Sequence, residues 1–391
     1  GPPAARQMVG YTDANVGTQR DASLRKTKHT DTHTTHKNKT TMAGTINVAE
    51  LRQTAVTYDP VLRYLPHAQL SPFISEMHFN LQTVTEEDRR INVRRAGNLL
   101  RPYKGTVDTI PDQELMHPEE SVLTPRMGYL ALLDNIQNYR GKKLLMKEGK
   151  SLTGAKAEHP YEYEILQNVS KTFVEDFTLA IPHAKAGSDN SPLGVFDGYN
   201  AIIDNLIGAT KISEENGNLI KADKIVAPTK DEEKLKPLET LIGWVRKLDP
   251  MLRGGALDLL IPGNVLMLVL DSFEVRRSYQ GDTSREKLAE YLRDKCGLSQ
   301  TPTIISNAIM GTGDRLIAMR PGNVTVGISA PADLEFIKVR DVYTDPNLVQ
   351  FWMQADMGTR LDDWNRKVFA TSGGTITQTA GLAGDYVAKK G

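Results

Sequence analysis

HPYEYEILQNVSKTFVEDFTLAI, residues 159–181, is the stretch that decides the fold. Its apolar side chains recur at every fourth position, the spacing of one face of an α-helix: Tyr161, Ile165, Val169, Phe173 and Phe177. Pro160 is tolerated in a first helical turn, and Pro182 is expected to end the helix. A helix of about 23 residues would be about 35 Å long. The stretch therefore predicts a rod, His159–Ile181, against which other elements pack.

The residues after this rod predict a change of direction. A loop of glycine, asparagine and serine leads to Gly194-Val195-Phe196-Asp197-Gly198-Tyr199-Asn200-Ala201-Ile202-Ile203-Asp204. We interpret this run as the chain leaving the rod and starting a new compact region. Its glycines do not form a dinucleotide-binding fingerprint, because no buried parallel strand immediately precedes them.

Composition is that of an ordinary globular protein. The chain has 391 residues, and its 48 basic and 48 acidic side chains cancel to a formal net charge of +0, so the surface as a whole is not suited to attract nucleic acid. No apolar run approaches the ~18 residues of a membrane span, which predicts a soluble protein without membrane contact. The one cysteine, Cys296, excludes an internal disulfide and is expected to be a small buried hydrophobe.

The distribution of histidine argues against an enzyme. All eight histidines precede Ala184, so the region that predicts the most compact fold has none. Serine–histidine and cysteine–histidine catalysis lack their residues there. His29, His33 and His36 are spaced like metal ligands on neighbouring helical turns, but the threonines around them disfavour a helix. We therefore predict no catalytic residues, no metal site and no cofactor.

The N-terminal part predicts little independent structure. Residues 1–41 are basic, of low complexity and nearly free of apolar side chains, which predicts a disordered extension. Met42-Ala43-Gly44 reads like a translation start, so we interpret residues 1–41 as an upstream extension, native or otherwise. Residues 42–81 are broken into short pieces by Pro60, Pro66 and Pro72. They predict an extended arm whose apolar residues need the flank of their own domain or a neighbouring subunit.

Residues 82–146 predict a protruding β-hairpin. Two strand-like stretches, Ile91–Leu100 and Met127–Leu133, surround a long polar excursion, and excursions of this length usually contact a partner. Asp134 and Asn135 are expected to cap a helix that runs to about Met146.

Charged residues of this region are the candidate subunit-interface residues. The basic cluster is either a solvated face or a set of ion-pair partners for an acidic patch on the next subunit, and the sequence leaves both interpretations open. The candidates are Arg89, Arg90, Arg94, Arg95 and Arg101 on the basic side, with Asp112, Glu114, Glu119 and Glu120 on the acidic side. Trp244 does not join the apolar stripe of its predicted helix, which makes it a candidate subunit-facing aromatic residue.

Beyond Asp204, local signals predict helices alternating with short strands. Asn216-Gly217 predicts a hairpin turn, and Pro237 is expected to begin a helix. Ala256–Ile261 predicts a buried strand, after which Asn264 should cap a helix. Thr283-Ser284-Arg285-Glu286 predicts a capping box, opening a helix that Gly297 closes.

The C-terminal part predicts mainly strands. Arg315–Met319 and Val324–Ser329 are expected to be joined as a pair by Arg320-Pro321-Gly322-Asn323. Glu335–Val342 and Phe351–Leu361 alternate like two longer strands of a final sheet. Residues 371–391 predict a flexible tail. The fold class is α+β, with a sheet that the C-terminal part completes.

Several of these stretches, taken in order, resemble the major capsid proteins of tailed double-stranded DNA phages, which have the HK97-like fold. Residues 194–203, GVFDGYNAII, are similar to the "FDG…I" segment of many such shells. Leu259-Leu260-Ile261-Pro262-Gly263-Asn264-Val265 resembles their passage from strand to helix, and residues 319–327, MRPGNVTVG, resemble their strand pair. Asp341-Val342-Tyr343 precedes the final strand. The resemblance extends from about Met42 to Phe369.

The resemblance implies a domain organisation. It places an N-terminal arm at residues 42–81 and an extended β-hairpin (the E-loop) with its following helix at residues 82–146. A peripheral domain with the spine helix, residues 159–181, would span residues 147–222. An axial domain would span residues 223–329, and the chain would return to the peripheral sheet at residues 330–370.

The resemblance also implies a function. A protein of this family is a non-catalytic capsid subunit that assembles with itself, as hexamers and pentamers, into an icosahedral shell around double-stranded DNA, which it contacts unspecifically. Separate scaffolding, portal and decoration proteins are further candidate partners. The implied location is the virion, after assembly in the bacterial host cytoplasm. Two alternatives remain: an encapsulin-like compartment shell of the same fold, and an α+β enzyme, against which the missing histidines argue.

Overall fold

Groups of helices and groups of strands follow one another along the chain in the computed structural model, which describes residues 48–97, 99–100, 102–103, 105, 114–135, 161–188, 190–277, 281–329, 337–342 and 345–378. The predicted α+β class is confirmed. The α-helices of the described residues are α1 (Val48–Glu76), α2 (Tyr161–His183), α3 (Tyr199–Gly208), α4 (Lys236–Arg246), α5 (Pro250–Arg253), α6 (Gly263–Arg276) and α7 (Arg285–Cys296).

Most of the strands are short, and one is long. In chain order they are β1 (Asn80–Thr83), β2 (Asp88–Arg95), β3 (Met116–Leu123), β4 (Arg126–Asn135), β5 (Asp258–Leu260), β6 (Thr303–Ile305), β7 (Thr312–Gly313), β8 (Ile317–Met319), β9 (Val324–Ile328), β10 (Ile337–Val342), β11 (Asp345–Leu361), β12 (Phe369–Thr371) and β13 (Ile376–Thr377).

Two sheets organise these strands. The main sheet is built on β11, which pairs antiparallel with β4, β9 and β10, while β1 lies parallel to β9. The second sheet has the order β12-β8-β5-β6, and β2–β3 and β7–β13 are separate two-stranded ribbons. The two strands predicted for a final sheet are confirmed as β10 and β11. The long strand β11 is the element that β4, β9 and β10 share.

The predicted long helix is confirmed as α2, with a different C-terminus. Pro182 does not stop the helix but lies in its last turn, before His183. A proline there removes only its own N–H, and Ala184 N still donates to Ala180 O at 2.9 Å. The Pro182 carbonyl accepts a hydrogen bond from Asn200 Nδ2 at 3.0 Å. The segment that follows therefore satisfies one of the carbonyls left free at the C-terminus of α2.

That following segment does not start a new compact region, which corrects the interpretation of residues 194–204. Gly198 N donates to Ala184 O at 2.8 Å, so the chain turns back across the C-terminus of α2 and enters α3. A Cβ on Gly198 would lie 2.5 Å from Ile181 O, so only glycine permits this crossing. Phe196 and Tyr199 are buried in the same hydrophobic cluster as α2, and the Phe196 ring lies 5.6 Å from that of Phe177.

The predicted extended arm is wrong in its local structure. Residues 48–76 form one helix, α1, although it contains three prolines. An interior proline costs about 3 kcal/mol or more, whereas each large apolar side chain that is fully buried contributes about 1.5–3 kcal/mol. Helically spaced side chains are buried along α1: Leu51, Ala55, Leu62, Leu70, Phe73 and Ile74. They belong to the α2 cluster, so the arm packs on the flank of its own chain.

The predicted hairpin exists, but its second strand was misplaced. Strand β2 pairs with β3, not with Met127–Leu133, which lies in β4 of the main sheet. Asp134 and Asn135, expected to cap a helix, are instead the last residues of β4. The reason is that β4 pairs with β11 over ten residues, a longer pairing than the β2–β3 ribbon provides. The expected helix to Met146 falls outside the described residues.

A second hydrophobic cluster joins α4, α6 and α7 to the second sheet. Pro237 begins α4 and Gly297 closes α7 with a φ of 65°, both as predicted. Two predicted caps are wrong. Asn264 lies inside α6 and bonds the backbone of Gly313 through both its side-chain atoms, at 2.9 and 3.1 Å. Ser284 occupies the N-cap of α7, but its hydroxyl bonds Asp282 instead of a helix N–H.

Three further expectations are corrected by long-range pairing. Asn216-Gly217 forms a turn without a hairpin, because Leu219 pairs with Thr371 far along the chain. The turn at residues 320–323 does not join a strand pair but carries the chain from β8 in the second sheet to β9 in the main sheet. Residues 371–378 are not a tail, since they complete β12 and form β13. The rest of the predicted tail, and residues 1–41, fall outside the described residues.

Candidate assembly interface

The β2–β3 hairpin has two chemically different faces. Directly paired residues, from Asp88↔Leu123 to Arg95↔Met116, share a side of the ribbon, and successive residues alternate between sides. The inner face consists of Asp88, Arg90, Asn92, Arg94, His117, Glu119, Ser121 and Leu123. The outer face consists of Arg89, Ile91, Val93, Arg95, Met116, Pro118, Glu120 and Val122.

The inner face fastens the hairpin to the end of β11. Arg90 Nη1 donates to Asp362 Oδ2 at 2.9 Å, and Asn92 Nδ2 donates to the Asp362 carbonyl at 2.6 Å. Ser121 Oγ donates to the Leu361 carbonyl from the opposite strand of the ribbon. Both strands of the hairpin are thus tied to one short segment, which fixes the direction in which the hairpin leaves the main sheet.

Asp362 is the centre of this attachment. Its side chain is 3% exposed and also accepts hydrogen bonds from Arg360 Nε at 2.7 Å and Thr325 Oγ1 at 2.9 Å. Arg360 in turn bonds Asp88 at 2.7 Å, and this hydrogen bond holds the pKa of the Asp88 carboxyl below its ordinary value. A buried carboxylate with several charge-assisted partners is strongly destabilising when one partner is removed.

Arg94 makes a second attachment beside the first. Its Nε donates to Glu119 and its Nη1 to Asp363, both at 2.6 Å, and its guanidinium lies 5.7 Å from the centre of the Trp364 ring. Burial acts to lower the pKa of Arg94, but the hydrogen bonds to Glu119 and Asp363 prevail and raise it above its ordinary value. Arg94 therefore stays charged, and it joins both hairpin strands to the residues after β11.

The predicted interface residues separate into three groups. Arg90, Arg94 and Glu119 have ion-pair partners within the chain, and pairing of these three residues with the next subunit stays a prediction. Exposed residues stay candidates: Arg95 on the outer face, Arg89 and Glu120, which pair with each other at 3.3 Å, and Glu114, which lies 3.5 Å from His117. Arg101 and Asp112 lie outside the described residues.

Trp244 is a core residue, which corrects its prediction as a subunit-facing aromatic. Its side chain is buried in the second hydrophobic cluster with Leu241 and Val245, and its indole N–H donates to Ile220 O at 2.8 Å. Since Trp244 lies three positions after Leu241, it occupies the same helix face, and that spacing was visible in the sequence.

Sequence reasoning found the arginines of the hairpin but missed their partners. Asp362, Asp363 and Arg360 lie about 270 positions away, and no local pattern joins them to β2. One signal was present in the sequence. The alternation of apolar and polar residues in β11 ends at Arg360-Leu361, and two aspartates, Asp362 and Asp363, follow directly.

The outer face of the hairpin is apolar at its centre and exposed. Ile91, Val93 and Met116 have 62%, 54% and 55% of their surface exposed. Exposed charged residues lie beside these apolar side chains: Glu120 is directly opposite Ile91, Arg95 is directly opposite Met116, and Arg89 lies towards the main sheet. A contiguous apolar surface with a polar rim is typical of protein–protein contacts.

A second exposed apolar surface lies on β4. Met127 and Tyr129 are 62% and 67% exposed, and they border a groove of about 470 Å³ between β4, α2 and residues 190–195. Phe173, Phe177 and Val195 line the groove. Gly128 forms part of its wall, since a Cβ there would lie 2.9 Å from the Met357 side chain and 3.2 Å from that of Val195.

One carboxylate faces this groove. Burial, with a smaller effect of the neighbouring Glu175, raises the pKa of Asp176 to about 6. Asp176 is thus a partly desolvated acid in a groove that both apolar and polar residues line. The ionised form of such a carboxyl is stabilised when a cation approaches it.

Three further observations concern metal ligands, membrane helices and the cysteine of the described residues. Within the described ranges, no group of three or more histidine, cysteine, aspartate or glutamate residues could hold a metal ion. No helix among those same residues is long and apolar enough to cross a membrane. Cys296 is buried as predicted, and burial raises the pKa of its thiol.

Comparison with known proteins finds similarity at the level of structure alone. No protein-family model matches the chain. No curated protein matches its sequence.

Solved structures with a similar arrangement come from phages and from a virus-like particle. A chain of the satellite phage P4 procapsid is 9% identical, with 78% of this chain and 89% of that chain covered and a TM-score of 0.45. A Mycobacterium phage Cain chain is 10% identical. The match covers 78% of this chain and 89% of that chain, with a TM-score of 0.40. A chain of the virus-like particle from Pyrococcus furiosus is 12% identical. The match covers 83% of this chain and 97% of that chain, with a TM-score of 0.35.

Proposed function

We propose that this chain is the non-catalytic subunit of a closed protein shell, a major capsid protein with the HK97-like fold that its sequence resembles. The observation that carries the proposal is the hairpin. Its inner face is fastened to Asp362 and Asp363, while the apolar side chains of its outer face are exposed among the residues that the structure describes. A rigidly rooted element with an exposed apolar face is suited to bind a second molecule.

The second molecule in this proposal is another copy of the chain. The outer face of one hairpin would lie on β4 and the groove beside it in the next copy. Both surfaces carry exposed apolar side chains, and the charge of Arg95 on the hairpin is complementary to that of Asp176 in the groove. The two surfaces are different, so the contact is heterologous, and repeated heterologous contacts build closed assemblies where the rotation closes and open filaments where it does not.

The two sheets support a division of the proposed subunit into two domains. We assign α1, α2 and the main sheet to the peripheral domain, and α4–α7 with the second sheet to the axial domain. Strand β9 then belongs to the peripheral domain although the sequence placed it in the axial region. The single segment at residues 320–323 is one of the connections between the domains.

The cargo of the shell separates the two versions of the proposal. A phage capsid would enclose double-stranded DNA, contacting phosphates without sequence preference, and would be located in the virion after assembly in a bacterial host. Scaffolding, portal and decoration proteins would be separate partners. An encapsulin-like compartment would enclose proteins instead. Nucleic acid inside purified particles favours the first version, and its absence together with co-purified enzymes favours the second.

The experiment that tests the proposal removes the apolar centre of the outer face. The double substitution Ile91→Ser and Val93→Ser is expected to abolish particles in electron microscopy and leave small species in sedimentation velocity. Unfolding temperature should stay unchanged, because both side chains are exposed in the subunit.

The matched control replaces exposed apolar residues elsewhere. Val226 and Met267 are 58% and 67% exposed and lie outside the hairpin and the groove. Val226→Ser with Met267→Ser should assemble like the unmodified chain. Normal assembly of the hairpin variant would contradict the proposal.

A further inference from the structure

Strand β4 lies at an edge of the main sheet. Among the described residues it pairs with β11 alone, in successive pairs from Met357↔Arg126 to Leu348↔Asn135 without a shift of register. Residues 127–133 include no charged residue and no proline. Lysine, proline and β-bulges are the features that usually protect a sheet edge from pairing with another strand. The edge of β4 therefore lacks this protection over residues 127–133.

The backbone groups on this edge are identified from the opposite edge of β11. Met357 pairs with both β4 and β9, so these strands lie on opposite sides of β11. Asp356 N donates to Ser329 Oγ at 3.1 Å and the Asp356 carbonyl accepts from Ser329 N at 2.7 Å, so both groups point away from β4. Since this direction alternates along a strand, Ala355 faces β4 and forms a hydrogen-bonded pair with Gly128. The N–H and C=O groups that face away from β11 therefore belong to Met127, Tyr129, Ala131 and Leu133.

Residues of this edge also line the groove beside α2. The groove of about 470 Å³ lies between residues 127–131 of β4 and Phe173, Asp176 and Phe177 of α2. An extended chain that enters such a groove can bond the strand through its backbone, while its alternate side chains contact the helix. The groove is therefore suited to receive a β-strand.

The hairpin has one edge with a complete series of backbone groups and one without. Ala96 N donates to Leu115 O at 3.0 Å, which continues the β2–β3 register by one pair. Alternation then assigns the groups that face away from the partner strand. Those of β2 belong to Arg89, Ile91, Val93 and Arg95. Those of β3 belong to Met116, Pro118, Glu120 and Val122. Because Pro118 has no N–H, only β2 offers every donor and acceptor along its outward edge.

We propose that β2 of one copy adds as a strand to the edge of β4 in the next copy, so that the main sheet of one subunit continues into the hairpin of its neighbour. This rests on the proposed function and specifies its contact as backbone hydrogen bonding. Charge also favours β2, because Arg95 is complementary to Asp176 in the groove, whereas Glu120 on the edge of β3 has the same charge as Asp176. The added strand turns Ile91 and Val93 towards the groove.

Amide hydrogen exchange of the unmodified chain, before and after assembly, tests the pairing at the resolution of single residues. Assembly should slow exchange at Tyr129 and Ala131 by about tenfold or more, because their N–H groups gain a partner. Exchange at Gly128 and Leu130 should change less, since their N–H groups already bond β11. Contact through side chains alone produces no such alternation, so uniform protection along β4, or none, would overturn strand addition.

A proline on the same edge provides a second test. Ala131→Pro removes an N–H that faces away from β11, at an exposed residue. The unfolding temperature of the subunit should therefore change little. The protein concentration needed for half-maximal assembly should rise by about tenfold, since each contact loses a backbone hydrogen bond. Ala131→Ser keeps the N–H and is the matched control, which should assemble like the unmodified chain.

Two outcomes distinguish a failure of strand addition from a failure of the proposed function. Strand addition is wrong, and the proposed function stands, if Ala131→Pro assembles as readily as Ala131→Ser while Ile91→Ser with Val93→Ser does not assemble. Absence of particles from the unmodified chain under every assembly condition overturns both. The exchange measurement uses the unmodified chain, so it decides the question even if Ala131→Pro does not fold.

Discussion

At the scale of single residues, Asp176 shows how one side chain connects stability to the proposed contact. Its pKa is raised to about 6 by burial, above the ~3.9 of an unfolded aspartate. A carboxyl with a raised folded-state pKa contributes stability that is complete below about pH 4 and is lost as pH rises through about 6. The ionised Asp176 of the free subunit is therefore slightly destabilising at neutral pH.

The substitution Asp176→Asn tests this at the same scale. It should raise the free energy of unfolding at about pH 7.5 by roughly 1 kcal/mol, a value reduced because the carboxyl is partly exposed. The measurement is urea unfolding of the unassembled chain between about pH 4 and 8. The difference between variant and unmodified chain should grow from pH 4 to 6. A difference that stays constant over this range would show that Asp176 is not desolvated in the groove.

At the scale of elements, the attachment of the hairpin to β11 should be a major source of local stability. Asp362→Asn leaves Arg90 and Arg360 without their buried counter-charge, and we expect a loss of about 3 kcal/mol in the free energy of unfolding. Arg89→Ala is the matched control on the same strand. The Arg89–Glu120 pair is 59% and 51% exposed, so its loss should cost less than about 1 kcal/mol. Equal losses in the two variants would contradict the assignment of Asp362 as the centre of the attachment.

The continuity of α1 is a second prediction about an element. Pro72 is exposed in the helix interior, where proline destabilises a helix by about 3 kcal/mol relative to alanine. Proline also restricts the unfolded chain, and this offsets up to about 1 kcal/mol of the destabilisation. Pro72→Ala should therefore stabilise the chain by about 1–2 kcal/mol in urea unfolding. Pro250→Ala, at the first position of α5, should bring no gain, because proline is favoured there. Destabilisation by Pro72→Ala would indicate that residues 48–76 are not one helix.

The same elements show what the sequence could and could not predict. Helix α2 was predictable because a four-residue recurrence of apolar residues is a local signal. Helix α1 was not, because its stripe is interrupted by prolines and is stabilised only by packing on α2, as in the 4.8 Å contact of the Tyr58 and Tyr163 rings. For the candidate interface, the arginine cluster of β2 was visible, but the half of it that pairs with Asp362 and Asp363 depends on contacts across most of the chain.

At the scale of the whole molecule, the proposed function rests on two separate contact surfaces among the described residues. The hairpin offers an apolar outer face with Arg95, and β4 with its groove offers an apolar surface with Asp176. These surfaces lie on different elements and do not cover each other within the chain. Such a subunit is expected to associate with copies of itself until the contacts close.

Electron microscopy of the purified, unmodified chain tests this central claim most directly. The account predicts closed particles of uniform size, in which the outer face of each hairpin lies on β4 of a neighbouring subunit. A discrete small oligomer under every assembly condition, or particles in which Ile91 and Val93 remain exposed to solvent, would contradict it.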